Sequence, residues 1–434
     1  MTFTLTSIFM LLVFWRPQEW LFPALFGLPL LDVLVGLSLL SLFVEISENR
    51  VRVVKRPHHG MLLGLWIMAP LSHMRHTYFA GMMMSFAPVF KVCFFCYLLF
   101  VVLDRPSRLY KSAMLFVGMG CFMAIHGLLQ THTGAGFGGQ VPYWIMIPGE
   151  ELYFRSRFFG IFQDPNDLAQ FMVLCMPFTF ISVKYSRGAS FFLGSLLTTL
   201  LVFGLLTTHS RGGQVGLVAA IGMQIVLWFP HKWFPYLSFA GLLGGLALCP
   251  FAGPLMDASA IERVVYWGLA NTRFKGSPIF GLGYEMFWQV TRKGHALHNA
   301  FVTCYLELGV IGYWFWFGLI LLGIVGCWRA RRILRRIRHS EAQFLYRFAG
   351  AAIVSMTAFC ASGYFLSRTF VFPLFFLIAM LGVVPDVALR YAPPSTQPLI
   401  DPKKDLRKLV TIGSLVSIVY IYLSCILLNK GLYG

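Results

Sequence analysis

His298-Asn299 is the pair in this chain best suited to acid–base chemistry. It stands where a polar, glycine-punctuated stretch, GLGYEMFWQVTRKGHAL, gives way to the apolar run AFVTCYLELGVIG. Histidine titrates near neutral pH and can take a proton from a hydroxyl. A lone histidine at such a boundary also serves as a structural group, and residue type alone leaves both readings open. His295 lies three positions earlier, on the same face if the segment is helical. A metal site built on that pair lacks an evident third ligand. Glu307 follows about two and a half helical turns after His298, too far along the run for direct contact.

The cationic chemistry is carried by arginines. Arg211 sits in THSRGG between two apolar runs. Ser210 before it and the glycines after it suit the opening of a helix, and a helix N-terminus with a guanidinium is a good anion site. A snorkelling interfacial arginine is the competing reading. Arg157 precedes GIFQDPNDLA, where Asp164 or Asn166 can cap a helix with Pro165 in its first turn. Asp164 and Asp167 also look like half of a metal motif, but no further acidic cluster joins them. Glu262-Arg263 lies in ASAIERVVYWGLA, whose apolar stripe reads as helical; a salt bridge between neighbours is the plain alternative there.

These groups must be positioned by membrane helices. Hydrophobic residues make up 58% of the chain and charged residues 12%, about half the charge of a soluble domain. Apolar runs long enough to span a bilayer recur from end to end, and strand-type alternation is absent. The expected fold is all-α: a polytopic helical membrane protein of about 12–13 spans in a single domain, residues 1–434. The spans fall near 3–15, 28–46, 60–72, 86–103, 112–130, 167–183, 190–208, 214–229, 234–251, 298–327, 347–365, 369–385 and 409–428. No signal-peptide layout opens the chain.

The net charge of +18 is an orientation signal rather than a nucleic-acid footprint. Basic residues fall mostly in every second loop, the densest being WRARRILRRIRH, which puts those loops in the cytoplasm. The external segments are then 131–165 and a long loop at 252–297, while 390–408 forms a cytoplasmic tail loop. Arg155, Arg157, Arg211, Arg263, Arg273, Arg292 and Arg368 remain on the external side, unexplained by orientation. Charges at the bilayer edge are costly unless paired or facing a cavity. The nine cysteines are scattered through apolar runs, and Cys93 and Cys96 read as small core residues rather than a redox pair.

Taken in order, GIFQDPNDLA, THSRGG, ERVVYW, GLGYEMF and HNAFVTCYLELGVIG resemble the O-antigen ligase and polymerase family, the WaaL and Wzy proteins. The match covers roughly residues 150–320 closely and the remaining spans as hydropathy. The resemblance implies an inner-membrane glycosyltransferase working on the periplasmic side. Such proteins are metal-independent, need no cofactor and invert the sugar. The donor would be a glycan on undecaprenyl diphosphate, and the acceptor a hydroxyl of another glycan or of lipid A core. Carried over, Arg211 and Arg263 would bind the diphosphate, with Arg157 joining them. His298 would be the base, Asn299 would shape the site, and Ser210, Asn166 and Asp164 would support it. An extra C-terminal span departs from the family pattern.

Leaving-group chemistry agrees with that assignment, since a departing diphosphate needs cations and an attacking hydroxyl needs a base. Ligase and polymerase are not separated by the sequence. An O-linked protein glycosylation ligase, a transporter or flippase of the lipid-linked sugar, and a structural subunit of an assembly machine are the alternatives. A transporter would spread its charges toward the midplane, whereas here they cluster at one face.

Overall fold

The computed structural model describes all residues except 52, 146–152, 239, 242–257, 292–295, 367 and 434. The chain is a polytopic helical bundle, in agreement with the sequence. Among the described residues, eight helices are long and apolar enough to cross a membrane. They are α2 (Leu30–Ser47), α4 (Phe79–Val102), α5 (Pro106–Thr133), α7 (Arg187–Thr207), α10 (Ala300–Leu334), α11 (Ser340–Gly363), α12 (Phe372–Leu389) and the last, within Pro402–Lys430, of which Thr411–Tyr433 is α13. Four shorter or less apolar helices match other expected spans: α1 (Thr2–Met10, continued by a wide turn at Leu11–Trp15), α3 (Pro57–Leu71), α6 (Pro165–Thr179) and α8 (Arg211–Trp228). The span expected at 234–251 lies mostly outside the described residues.

Local chemistry explains where the helices begin. Pro57, Pro106, Pro165 and Pro402 occupy first-turn positions, where the missing N–H costs nothing. Ser186, Ser210, Asp164 and Asn299 each accept a backbone N–H with their side chains at an N-cap.

The bundle is layered by burial. α12 is enclosed, with every residue from Pro373 to Pro385 buried. Around it Phe14, Phe116, Phe171 and Phe376 form an aromatic core, with the Phe116 and Phe376 rings stacked at 4.5 Å. α2 and α7 sit at the periphery and leave Phe43 and Phe192 exposed. Apolar side chains turned outward on an all-apolar helix are what a lipid-facing position requires.

Alternate connections gather at the same end. At one end the N-terminal amine meets Glu45, Lys184 meets Glu341, Arg56 meets Asp386 and Arg329 meets Asp405. At the other, Gly160 N–H donates to Glu19, Tyr284 N–H to Ser72 Oγ, and Arg75 to the Gly276 carbonyl. The basic loops thus share the first end, as the alternation of charge anticipates.

Some elements differ from expectation. Residues 131–165 contain a short antiparallel pair of strands, β1 (Tyr143–Ile145) with β2 (Tyr153–Arg155), too brief to show as alternation. The stretch ASAIERVVYWGLA, read as helical, is part of a helix as expected, α9 (Ala258–Gly276), packed on α13 through Asn271 Nδ2 to the Tyr422 carbonyl at 3.0 Å. The tenth span starts at Ala300 rather than His298 and is broken at Gly309. Cys93 and Cys96 are buried thiols within α4.

Candidate active site

Three capping sequences set out the site. Asp164 opens α6, its Oδ1 accepting from Asn166 N–H at 2.8 Å and from Asn166 Nδ2 at 3.0 Å. Ser210 opens α8, its Oγ accepting from Gly213 N–H at 3.2 Å. The same hydroxyl donates to Asn166 Oδ1 at 2.8 Å. Two helix N-termini 44 residues apart in sequence are therefore tied through one amide. A Cβ at Gly213 would lie 2.7 Å from the Ala169 Cβ, so glycine permits this approach.

Asn166 Oδ1 also accepts from Arg155 Nη2 at 2.8 Å, while Arg155 Nε donates to the Thr208 carbonyl at 2.8 Å. Burial pulls the Arg155 guanidinium below the ordinary arginine value. Asp164 and nearby tyrosines oppose that shift, and the charge of Arg263 adds to it, placing Arg263 within electrostatic reach. Arg211 is the first residue of α8 and is exposed. Arg157 is held elsewhere, Nε to the Val141 carbonyl at 3.1 Å and its N–H to Gln130 Oε1 at 3.0 Å. Arg155, rather than Arg157, is the arginine of that segment bonded to the Asn166–Ser210 pair.

The histidine approaches from the other side. Asn299 is fully buried and caps α10, its Oδ1 accepting from the N–H groups of Phe301 and Val302, both at 3.0 Å. His298 just before it is half-buried in a left-handed conformation, φ +51°. That backbone is not helical, so the shared helical face with His295 does not form at His298; His295 and Arg292 lie outside the described residues. α9 fixes the approach of this segment, because Trp267 Nε1 donates to the Leu297 carbonyl at 2.7 Å. Arg263 and His298 are thereby carried on two segments joined by one hydrogen bond.

The connection that carries Arg368, one of the arginines orientation left unexplained, joins the two halves. Residues 364–371 run from α11 to α12, and Ser362 lies in the last turn of α11. Ser362 Oγ accepts from Gln170 at 2.8 Å, Tyr364 packs on Trp267 with ring centroids 5.3 Å apart, and Thr369 Oγ1 donates to the Ala300 carbonyl at 3.0 Å. Arg368 pairs with Asp167 and, at 3.7 Å, with Asp164. Burial alone would lower its value, but the two carboxylates outweigh that and raise it. Those carboxylates therefore hold a guanidinium in this structure.

The break in α10 brings a loop onto Glu307. Gly309 has φ +68° and ψ −175°, and the loop 276–286 docks into the gap. Leu282 N–H donates to the Leu306 carbonyl at 2.8 Å, Gly283 N–H to the Glu307 carbonyl at 3.0 Å, and Val310 N–H to the Pro278 carbonyl at 2.8 Å. Glu307 Oε2 accepts from Glu285 N–H at 3.0 Å. Backbone packed this closely tolerates only glycine: a Cβ at Gly281 would overlap the Glu307 carbonyl and one at Gly309 the Ile279 carbonyl.

A cleft of about 290 Å³ opens beside the histidine segment, lined among others by Leu297, Thr303, Glu307, Trp288 and Arg368. Comparison with protein-family models finds no match to this chain, and comparison with curated proteins finds none either.

Proposed function

We propose that this multi-pass membrane protein transfers a glycan from a polyprenyl diphosphate, of the undecaprenyl type, to an acceptor hydroxyl. The reaction would occur at the periplasmic face of a bacterial inner membrane. One observation carries the reading: four separated motifs, at 164–167, 210–213, 262–267 and 297–299, meet at one end of the bundle. Ser210–Asn166 ties the first two and Trp267–Leu297 the last two, and the connection carrying Tyr364, Arg368 and Thr369 touches both pairs.

In the proposed step the acceptor oxygen attacks the anomeric carbon, and a new C–O glycosidic bond forms. The bond from that carbon to the diphosphate oxygen breaks, and its electron pair stays on the departing diphosphate. The hydroxyl proton goes to His298. Arg211, at the start of α8, and Arg263 on α9 would stabilise the charge that develops on the leaving group, helped by the N–H groups opening α8. Arg155 is placed to hold the Asn166–Ser210 pair and add positive potential. Attack from the face opposite the diphosphate inverts the sugar. The family resemblance of the motifs supports the same assignment, for an O-antigen or exopolysaccharide ligase or polymerase.

The test is complementation of a strain lacking the chain with His298→Ala, Arg211→Ala and Arg263→Ala, membrane levels being checked by blot. Loss of long or lipid A-linked glycan at normal protein level is the expected result. Single capped units would indicate a polymerase and unligated long chains a ligase. Normal glycan from all three variants would overturn the assignment and favour transport or a structural role.

A further inference from the structure

We propose that the cleft beside the histidine segment is the acceptor subsite, and that it takes an uncharged, hydroxyl-rich sugar ring stacked on Trp288. The inference rests on the glycosyl-transfer reading and goes further, assigning donor and acceptor to different surfaces by their chemistry.

The size comes first. About 290 Å³ lies at the lower end of small-ligand sites, enough for a sugar ring and too small for a folded partner. The walls come next. Trp288 lies on a one-turn helix, Phe287–Val290, and is 58% exposed, while its neighbour Phe287 is buried against Tyr266. Burying Phe287 anchors the turn and leaves the indole lining the cleft. An aromatic face with a few fixed polar groups around it is what binds and orients a ring carrying both C–H and O–H groups.

Those polar groups are present. Glu307 lines the cleft one turn after Thr303 on α10, and its Oε2 is oriented by Glu285 N–H from the docked loop. Thr303 stands one turn into α10, its hydroxyl donating to the Asn299 carbonyl at 2.7 Å, which leaves oxygen lone pairs for a ligand hydroxyl. Leu297 lines the cleft and is the residue before His298, so the cleft borders the segment that carries the proposed base.

Charge decides the ligand class. Glu285 lines the cleft beside the buried Glu307, and the guanidinium of the cleft, Arg368, is already paired with Asp164 and Asp167. A phosphate would meet the Glu285 carboxylate here and a guanidinium already held by two others. Arg155, Arg211 and Arg263 are not among the residues lining the cleft. The diphosphate is therefore assigned to the arginine side and the acceptor sugar to the Trp288 side, the cleft meeting the His298 segment at Leu297.

The experiment uses the full chain in nanodiscs. Lipid-linked glycan extracted from the deletion strain serves as donor. Core–lipid A from that strain, or the lipid-linked unit itself, serves as acceptor. Trp288→Ala is expected to raise the acceptor KM about tenfold. Donor KM and kcat at saturation should stay within about twofold. Trp288→Phe should restore most of the loss, and Glu307→Gln should raise acceptor KM as well. An unchanged acceptor KM, or an equal rise in donor KM, overturns the proposal and leaves Trp288 as a membrane-interface anchor. A second readout does not depend on turnover: saturation-transfer NMR with deacylated core oligosaccharide. Binding by the wild type and Arg211→Ala, lost in Trp288→Ala, supports the sugar subsite even if no transfer is seen, in which case the transfer reading alone fails. No binding by the wild type overturns the subsite.

Discussion

Replacing Gly309 by alanine should unlock the loop that carries Tyr284, Glu285 and Trp288. At φ +68° and ψ −175°, Gly309 occupies a region that is essentially glycine-only, so alanine held there costs about 1–3 kcal/mol. Its Cβ would also overlap the Ile279 carbonyl. Escape requires moving the loop, which gives up the Leu282–Leu306, Gly283–Glu307 and Val310–Pro278 hydrogen bonds. At a net value of about 1 kcal/mol each, that route costs about 3 kcal/mol. A straightened helix recovers part of this, so the expected destabilisation of the docked state is about 2–4 kcal/mol. Purified Gly309→Ala should show a melting temperature lower by roughly 5 °C. Exchange of the Leu282 and Gly283 amides should quicken roughly thirtyfold or more, since 1.4 kcal/mol is a factor of ten. Gly118→Ala is the control: a Cβ there meets nothing within 4 Å, and the change should be neutral or slightly stabilising. Wild-type exchange at Leu282 and Gly283 together with a wild-type melting temperature would refute the reasoning.

Asn299→Ala removes an acceptor serving two N–H groups and should destabilise by about 1 kcal/mol, with glycan transfer falling further because the backbone of His298 loses its anchor. Asn299→Asp keeps the cap, and thermal unfolding close to wild type is expected; a collapse of that variant would sink the capping account. Arg368→Ala leaves Asp167, only 7% exposed, without its cation. A loss of about 2–4 kcal/mol is expected, less than for a fully enclosed pair because the arginine side chain is 38% exposed. Adding Asp167→Asn should recover part of it in thermal unfolding and membrane level, and a neutral single variant would show the pair to be dispensable.

Information carried by neighbours in sequence was legible, and information carried by distant contacts was not. The helices follow from the apolar runs, and the caps at Asp164, Ser210 and Asn299 follow from a short polar residue standing before a helix-forming stretch. Arg155 and Arg157 show the limit. They are two residues apart, identical in charge, and equally plausible as partners for the DPND turn. What separates them is the N–H of Ser156 donating to the Thr207 carbonyl at 3.0 Å, which lays the end of β2 along THSRGG and brings Arg155 to Asn166. Arg368 shows the same limit at greater range, since its carboxylate partners lie about two hundred residues earlier. Gly309 was hidden differently, because a glycine inside an apolar run reads as a small packing residue. Only the docking of 276–286 against it reveals a broken helix, and that docking gives Glu307, which shares the cleft with Thr303 one turn earlier, its bond from Glu285 N–H. The polar residue that was hardest to use in the linear sequence thus acquires its partner through backbone geometry. That is why the Gly309 variant and the Glu307→Gln variant should weaken the same function, acceptor binding, while leaving the arginine side of the site intact.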